Sequence, residues 1–292
     1  RTLYHEKNES PIPESALDSL KRELAELEAQ YPELLPEPSP TRTIAGKPLP
    51  ELQKTKHSVP QWSLDDAFDE DDIRAFDERV RRTLQKLGNT SPVTYVCELK
   101  IDGLHIVLTY HHGKLILGAT RGDGVIGEDV THAVRTIATI PLELKHRVNI
   151  AVEGEVYMSR KGFELLNRER AKTGEALFAN PRNVAAGSVR QLDPKITASR
   201  PLRAFIYDIG KTDGTMPASQ YDELQYLKQL GFSVNPHTTQ AHTVTQILTF
   251  WKKRGDGATK EAFDVSRPTL FRWHKGLKKG SGKLEALNPG SR

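Results

Sequence analysis

The 292-residue sequence predicts an α+β protein built on a largely antiparallel sheet, with a helical segment at its N-terminus and a short helical C-terminal tail. Three observations predict this. Short apolar runs bounded by turn residues recur from Val93 to Ile209, with connections too short for the crossover helices of a parallel sheet. Apolar residues spaced by three and four mark helices before and after that region. Charge is uneven: residues 252–292 carry eleven Lys/Arg against four Asp/Glu, although the whole chain is only +4.

Taken in order, Pro13-Glu14-Ser15 opens a helix whose stripe is Leu17, Leu20, Leu24, Leu27 and Tyr31, and Pro32 ends it. Pro36 to Pro50 reads as a linker. A second helix starts in acidic Asp69 to Asp72 and ends in basic Arg79 to Lys86 before Gly88, an order that suits the helix dipole. Its Ile73, Phe76, Val80 and Leu84 face a core. Strands are expected through the Val93–Gly103 region and over Leu104–Tyr110, Leu115–Ala119, Ile150–Met158 and Arg203–Ile209. His111-His112 before Gly113 reads as a hairpin tip rather than a metal site. Thr243-Val244-Thr245-Gln246 is a capping box opening a helix through Ile247, Leu248 and Trp251. In the tail, Ser266 caps a helix with Leu270, Trp273 and Leu277 on one face, and Arg267, Arg272, Lys275 and Lys278 remain polar.

Composition narrows the function classes. One cysteine, Cys97, excludes an internal disulfide framework and a multi-cysteine zinc site. No apolar run reaches the roughly 18 residues a membrane helix needs, and the start shows no signal-peptide pattern, so a soluble, cytoplasmic, monomeric protein without membrane contact is expected. The sequence begins at Arg1 and reads as a fragment or a processed chain. The basic tail is the natural electrostatic footprint for nucleic acid.

The chemistry concentrates in Glu98-Leu99-Lys100-Ile101-Asp102-Gly103. In a strand, Glu98, Lys100 and Asp102 share one face and Leu99 and Ile101 the other. Such a face suits either a solvated strand with ion pairs or a lysine nucleophile, which attacks only as the neutral amine. Three segments support the second. Ala119 to Thr131 is a glycine-punctuated loop carrying Arg121, able to offer N–H groups to phosphate but lacking the ending of a P-loop. Val152 to Tyr157 sets Glu153 and Glu155 on one strand face. Phe178 to Asp193 places Arg182 and Arg190 among small residues, either as phosphate contacts or as loop anchors.

With these segments, and with Val59 to Phe68 and Phe205-Ile206-Tyr207, the chain resembles the adenylation region of bacterial NAD+-dependent DNA ligases over Tyr4 to Arg254. The resemblance implies a nucleotidyltransferase (ATP-grasp-like) fold. It divides the chain into a truncated helical subdomain for the nicotinamide half of NAD+ with its linker (1–50), an adenylation domain lacking its last motifs (51–255), and a basic tail (256–292). It implies that Lys100 attacks NAD+, the AMP donor, to hold AMP before transfer to nicked duplex DNA. Glu98 would read the adenine amino group, Arg121 and Glu155 would hold ribose and phosphate, Ser63 and Leu64 would line the pocket, and Tyr207 would stack on the base. For Tyr207 a core aromatic role stays open. Mg2+ is implied, carried by phosphate and water rather than by protein ligands.

Two departures stand out. Tyr4, His5 and Asp18 match the nicotinamide site, but Glu14 and Leu17 replace its aspartate and tyrosine. After Arg254 the pattern stops; Asp256-Gly257-Ala258-Thr259-Lys260 imitates the next lysine motif at the wrong spacing. The tail instead resembles the helix-turn-helix of transposases and integrases. The alternatives are an inactive relative that binds DNA through this tail, and a lysine nucleotidyltransferase that uses ATP.

Overall fold

The computed structural model describes residues 52–62, 67, 69–254 and 270–273, with scattered positions between Leu20 and Tyr31. At those scattered positions Leu20, Leu24, Leu27 and Gln30 are helical, as the spacing requires, while Leu20, Leu27 and Tyr31 lie exposed. The elements are β1 (Lys54–Lys56), α1 (Glu70–Lys86), β2 (Tyr95–Glu98), β3 (Leu104–His111), β4 (Lys114–Thr120), β5 (Ile126–Glu128) and α2 (Thr131–Val134). They continue with β6 (Ile150–Met158), α3 (Arg160–Lys172), α4 (Pro181–Val189), α5 (Pro194–Ala198), β7 (Leu202–Thr212), α6 (Gln220–Leu230), β8 (Thr239–Ala241), α7 (Val244–Arg254) and β9 (Leu270–Trp273).

Local chemistry accounts for the ends of these elements. Asp69 caps α1 by accepting from the N–H groups of Asp71 and Asp72, and Gly88 follows the helix at φ +73°. At the hairpin tip, His112 and Gly113 both take positive φ, confirming the turn expected there. Thr243 Oγ1 accepts from the Gln246 N–H, but the Gln246 side chain reaches the N–H of His242 rather than that of Thr243. The capping box is therefore displaced by one residue.

β4, β3, β6 and β7 form a four-stranded antiparallel sheet in that order. One face carries Ile106, Leu108, Val152, Val156 and Ile206 into a core shared with Val134, Val184, Leu224 and Leu227 from the helices. The opposite face carries Tyr157 and Phe205, stacked at 5.0 Å between ring centroids, into a second core with Tyr95 and Cys97 of β2 and residues of α1 and α7. Pairing places His105 opposite Glu155 and Glu155 opposite Phe205 on that second face. The register then shifts: Gly154 faces Ile206 but Glu153 faces Asp208, so Tyr207 is the extra residue of a β-bulge. Polar groups gather where the apolar cover of this face ends.

Two expectations need correction. β2 stops at Glu98, so Lys100 and Asp102 belong to the connection into β3 rather than to a strand. The expected tail helix also fails at its centre, because Leu270–Trp273 is a strand antiparallel to β2, with Leu270 opposite Glu98 and Trp273 opposite Tyr95. A run of Leu, Phe, Arg and Trp suits a strand, and on its other side β2 already carries β8, so the segment fills an edge whose backbone groups otherwise lack a ladder.

Candidate active site

The site grows from the link Leu99–Gly103. Leu99 and Ile101 are buried in the second core, Lys100 is exposed and Asp102 half-buried, so alternation survives without a ladder. Both ends of the link are pinned. Asn235 Nδ2 donates to the Leu99 carbonyl at 3.3 Å, and the Gly103 N–H donates to Glu155 Oε1 at 3.1 Å. Gly103 is required, because a Cβ there would sit 2.1 Å from the Val156 carbonyl oxygen.

Charged groups surround that link. Arg182 Nη1 donates to Asp102 Oδ1 at 2.8 Å from the first turn of α4, a helix capped by the Asn180 side chain and started by Pro181. Burial pushes the Glu155 carboxyl up to about 7, opposed by Lys100 and Arg182 and reinforced by Asp102. Glu98 lies beside them at the end of β2, 3% exposed. Its neighbour Cys97 is buried, and burial first and Glu98 second push its thiol up to about 12.

Arg121 enters from the loop after β4. Gly122 there has φ +56°, and a Cβ would lie 1.8 Å from the Ile126 carbonyl oxygen, so the turn demands glycine. Asp123 Oδ1 accepts from the N–H groups of Val125 and Ile126, which holds its carboxyl below the usual range. His57 Nε2 lies 3.0 Å from the Arg121 carbonyl oxygen. Burial lowers the Arg121 guanidinium, and Tyr207, Glu155 and Glu153 counter that effect. Its Nε and Nη2 are buried and have no hydrogen-bond partner among the described residues. A cation so placed is suited to an anionic ligand.

Of the residues the sequence singles out, Lys100, Arg121, Glu155 and Tyr207 come together here, and Glu98 ends β2 two residues before Lys100. Tyr4, His5, Glu14, Asp18, Ser63 and Leu64 lie outside the described residues. Arg190 donates from Nε to Glu128 Oε2 at 2.9 Å, which makes it an anchor for the loop carrying Arg121. Reading the sequence alone misses His105, whose ring nitrogens lie 2.7 Å from the Tyr207 hydroxyl and 2.9 Å from Gln61 Oε1. A signal was present: a lone histidine on the face of β3 opposite Ile106 and Leu108. Asn235 gave none, because its role rests on a contact remote in sequence.

An exposed amine on a pinned link, two carboxylates and a buried guanidinium form an arrangement suited to an anionic ligand at Lys100. Comparison with known proteins then fixes the family. The family model described as "NAD-dependent DNA ligase adenylation domain" matches residues 49–265, and "DNA ligase-like, N-terminal NAD+-binding domain" matches residues 1–45. The chain belongs to the NAD-dependent DNA ligase family. It is 49% identical over 250 residues to a DNA ligase of Shouchella clausii, covering 86% of this chain and 36% of that protein. It is 50% identical over 248 residues to a DNA ligase of Brevibacillus brevis, covering 85% and 36%, and 45% identical over 250 residues to one of Thermotoga maritima, covering 86% and 36%. The chain therefore spans about a third of the length of the curated relatives it matches. No described helix is long and apolar enough to cross a membrane.

Proposed function

We propose that the chain carries out the adenylation step of NAD+-dependent DNA ligation. The neutral Nζ of Lys100 attacks the α-phosphorus of NAD+. An N–P bond forms, the P–O bond to nicotinamide mononucleotide breaks, and AMP stays on the lysine as a phosphoramidate while the amine loses a proton. The observation that carries this reading is Arg121, a buried guanidinium with two N–H-bearing nitrogens left for an anion beside Glu155 and Tyr207. As charge develops on the phosphate, Arg121 stabilises it. Glu155, poised near neutrality, is suited to the ribose hydroxyls or to taking a proton. Glu98 reads the adenine amino group and Tyr207 stacks on the base. Tyr4, His5, Glu14 and Asp18 serve the nicotinamide half, and Ser63 and Leu64 the adenosine pocket.

The match of residues 1–45 to an NAD+-binding domain supports NAD+ over ATP as the donor. Mg2+ would be held by the phosphates and water rather than by protein ligands, and would supply charge neutralisation on the phosphate beside Arg121. The acceptor, by this reading, is the 5′-phosphate of a DNA nick. Incubation with NAD+ labelled in the adenylate should mark Lys100 alone. Label retained by Lys100→Ala would sink the proposal.

A further inference from the structure

Tyr207 is the extra residue of the bulge in β7, and two side chains reach it there. Gln220 Nε2 donates to its carbonyl oxygen at 2.7 Å, and its hydroxyl lies 2.7 Å from His105 Nδ1, with the rings tilted at 50° and 6.2 Å apart. On the other side of the imidazole, Nε2 lies 2.9 Å from Gln61 Oε1. Gln61 is buried, and its Nε2 donates to the Val59 carbonyl at 2.8 Å, so the atom facing the histidine is its oxygen. An amide oxygen only accepts. His105 Nε2 therefore carries a proton that it donates to Gln61 Oε1, and Nδ1 meets the Tyr207 hydroxyl, so one imidazole joins Tyr207 to Gln61.

We propose that His105 is a positioning residue for the nucleotide: it holds the Tyr207 ring, tied through Gln61 to the Val59 carbonyl, in the orientation that stacking on an adenine base requires. This rests on the reading of Tyr207 as the base-stacking residue. His105 acts through Tyr207 and touches no reacting atom, so it governs nucleotide affinity rather than the rate of N–P bond formation.

The test measures AMP binding by calorimetry and adenylate transfer from NAD+ on the full 292-residue chain. His105→Ala should weaken AMP binding and raise KM for NAD+ about tenfold, or about 1.4 kcal/mol, with the labelling rate at saturating NAD+ within about twofold. His105→Asn keeps a hydrogen-bonding group where Nδ1 stands and should restore affinity to within about threefold of the parent. Combining His105→Ala with Tyr207→Phe should cost no more than Tyr207→Phe alone, because both remove one hydrogen bond. Multiplying effects in the double variant, a failed asparagine rescue, or unchanged AMP binding in His105→Ala would each overturn the role while leaving Lys100 adenylation intact. An unsubstituted chain that neither binds AMP nor takes label would overturn the underlying reading, and the role with it.

Discussion

At the scale of the residue, Glu155 couples the site to pH. Its carboxyl titrates at about 7 in the fold against 4.5 in an unperturbed chain, so between those values the native state holds more protons than the unfolded one. Stability therefore falls as pH rises from about 4.5 to about 7 and levels off above. Glu155→Gln keeps an acceptor for the Gly103 N–H and cannot ionise. Relative to the parent it should gain on the order of 1–3 kcal/mol between pH 5 and pH 8, read from denaturant unfolding at both values. An equal difference at the two pH values would place this proton elsewhere. The carboxylate that weakens the fold above neutrality is the one proposed to meet the substrate, so the destabilisation accompanies function.

Elements hold the charged loops by a few buried pairs. Glu128, 1% exposed at the end of β5, takes Arg190 Nε from the C-terminal end of α4 and the Thr120 hydroxyl from β4. Arg190→Ala strips a buried carboxylate of its guanidinium and should cost about 3 kcal/mol in denaturant unfolding. A loss under about 1 kcal/mol would show Glu128 reaching solvent instead. Much at this scale was legible beforehand. The helix Glu70–Lys86 followed from charge order and three–four spacing, and Ile150–Met158 from its apolar run, because both depend on neighbours in sequence. Lys100 read as a strand residue because Leu99 and Ile101 alternate with it; only the ladder was missing. Leu270 and Trp273, three apart, fit a helical face, and the open edge of β2 decides for a strand. The Tyr207 bulge and the His105–Gln61 contact were illegible for the same reason: both are set by residues far away along the chain.

For the whole molecule, the separation of charge from catalysis matters most. Residues 252–292 hold the basic excess, while part of that tail lies in the sheet beside Glu98. Deleting the tail would therefore strip an edge from β2 along with the charge. Substituting Lys275, Lys278, Lys279 and Lys283 by glutamine separates the two effects. The variant should bind duplex DNA more weakly and label Lys100 with AMP as the parent does. Its log–log salt dependence should be shallower by about 0.9 for each phosphate the tail no longer neutralises. An unchanged salt slope would remove the tail from DNA binding.

Cys97 turns the centre of this assembly into a clock. Only the thiolate reacts with alkylating reagents, and burial beside Glu98 keeps this thiol protonated, pushed up to about 12. It is the only cysteine, and it lies buried in β2 between β8 and β9, one residue from Glu98 and three from Lys100. Alkylation in native buffer thus waits on the parting of those strands. Its rate counts how often the sheet that leads into the Lys100 link comes apart, with no engineered label and no background from a second thiol.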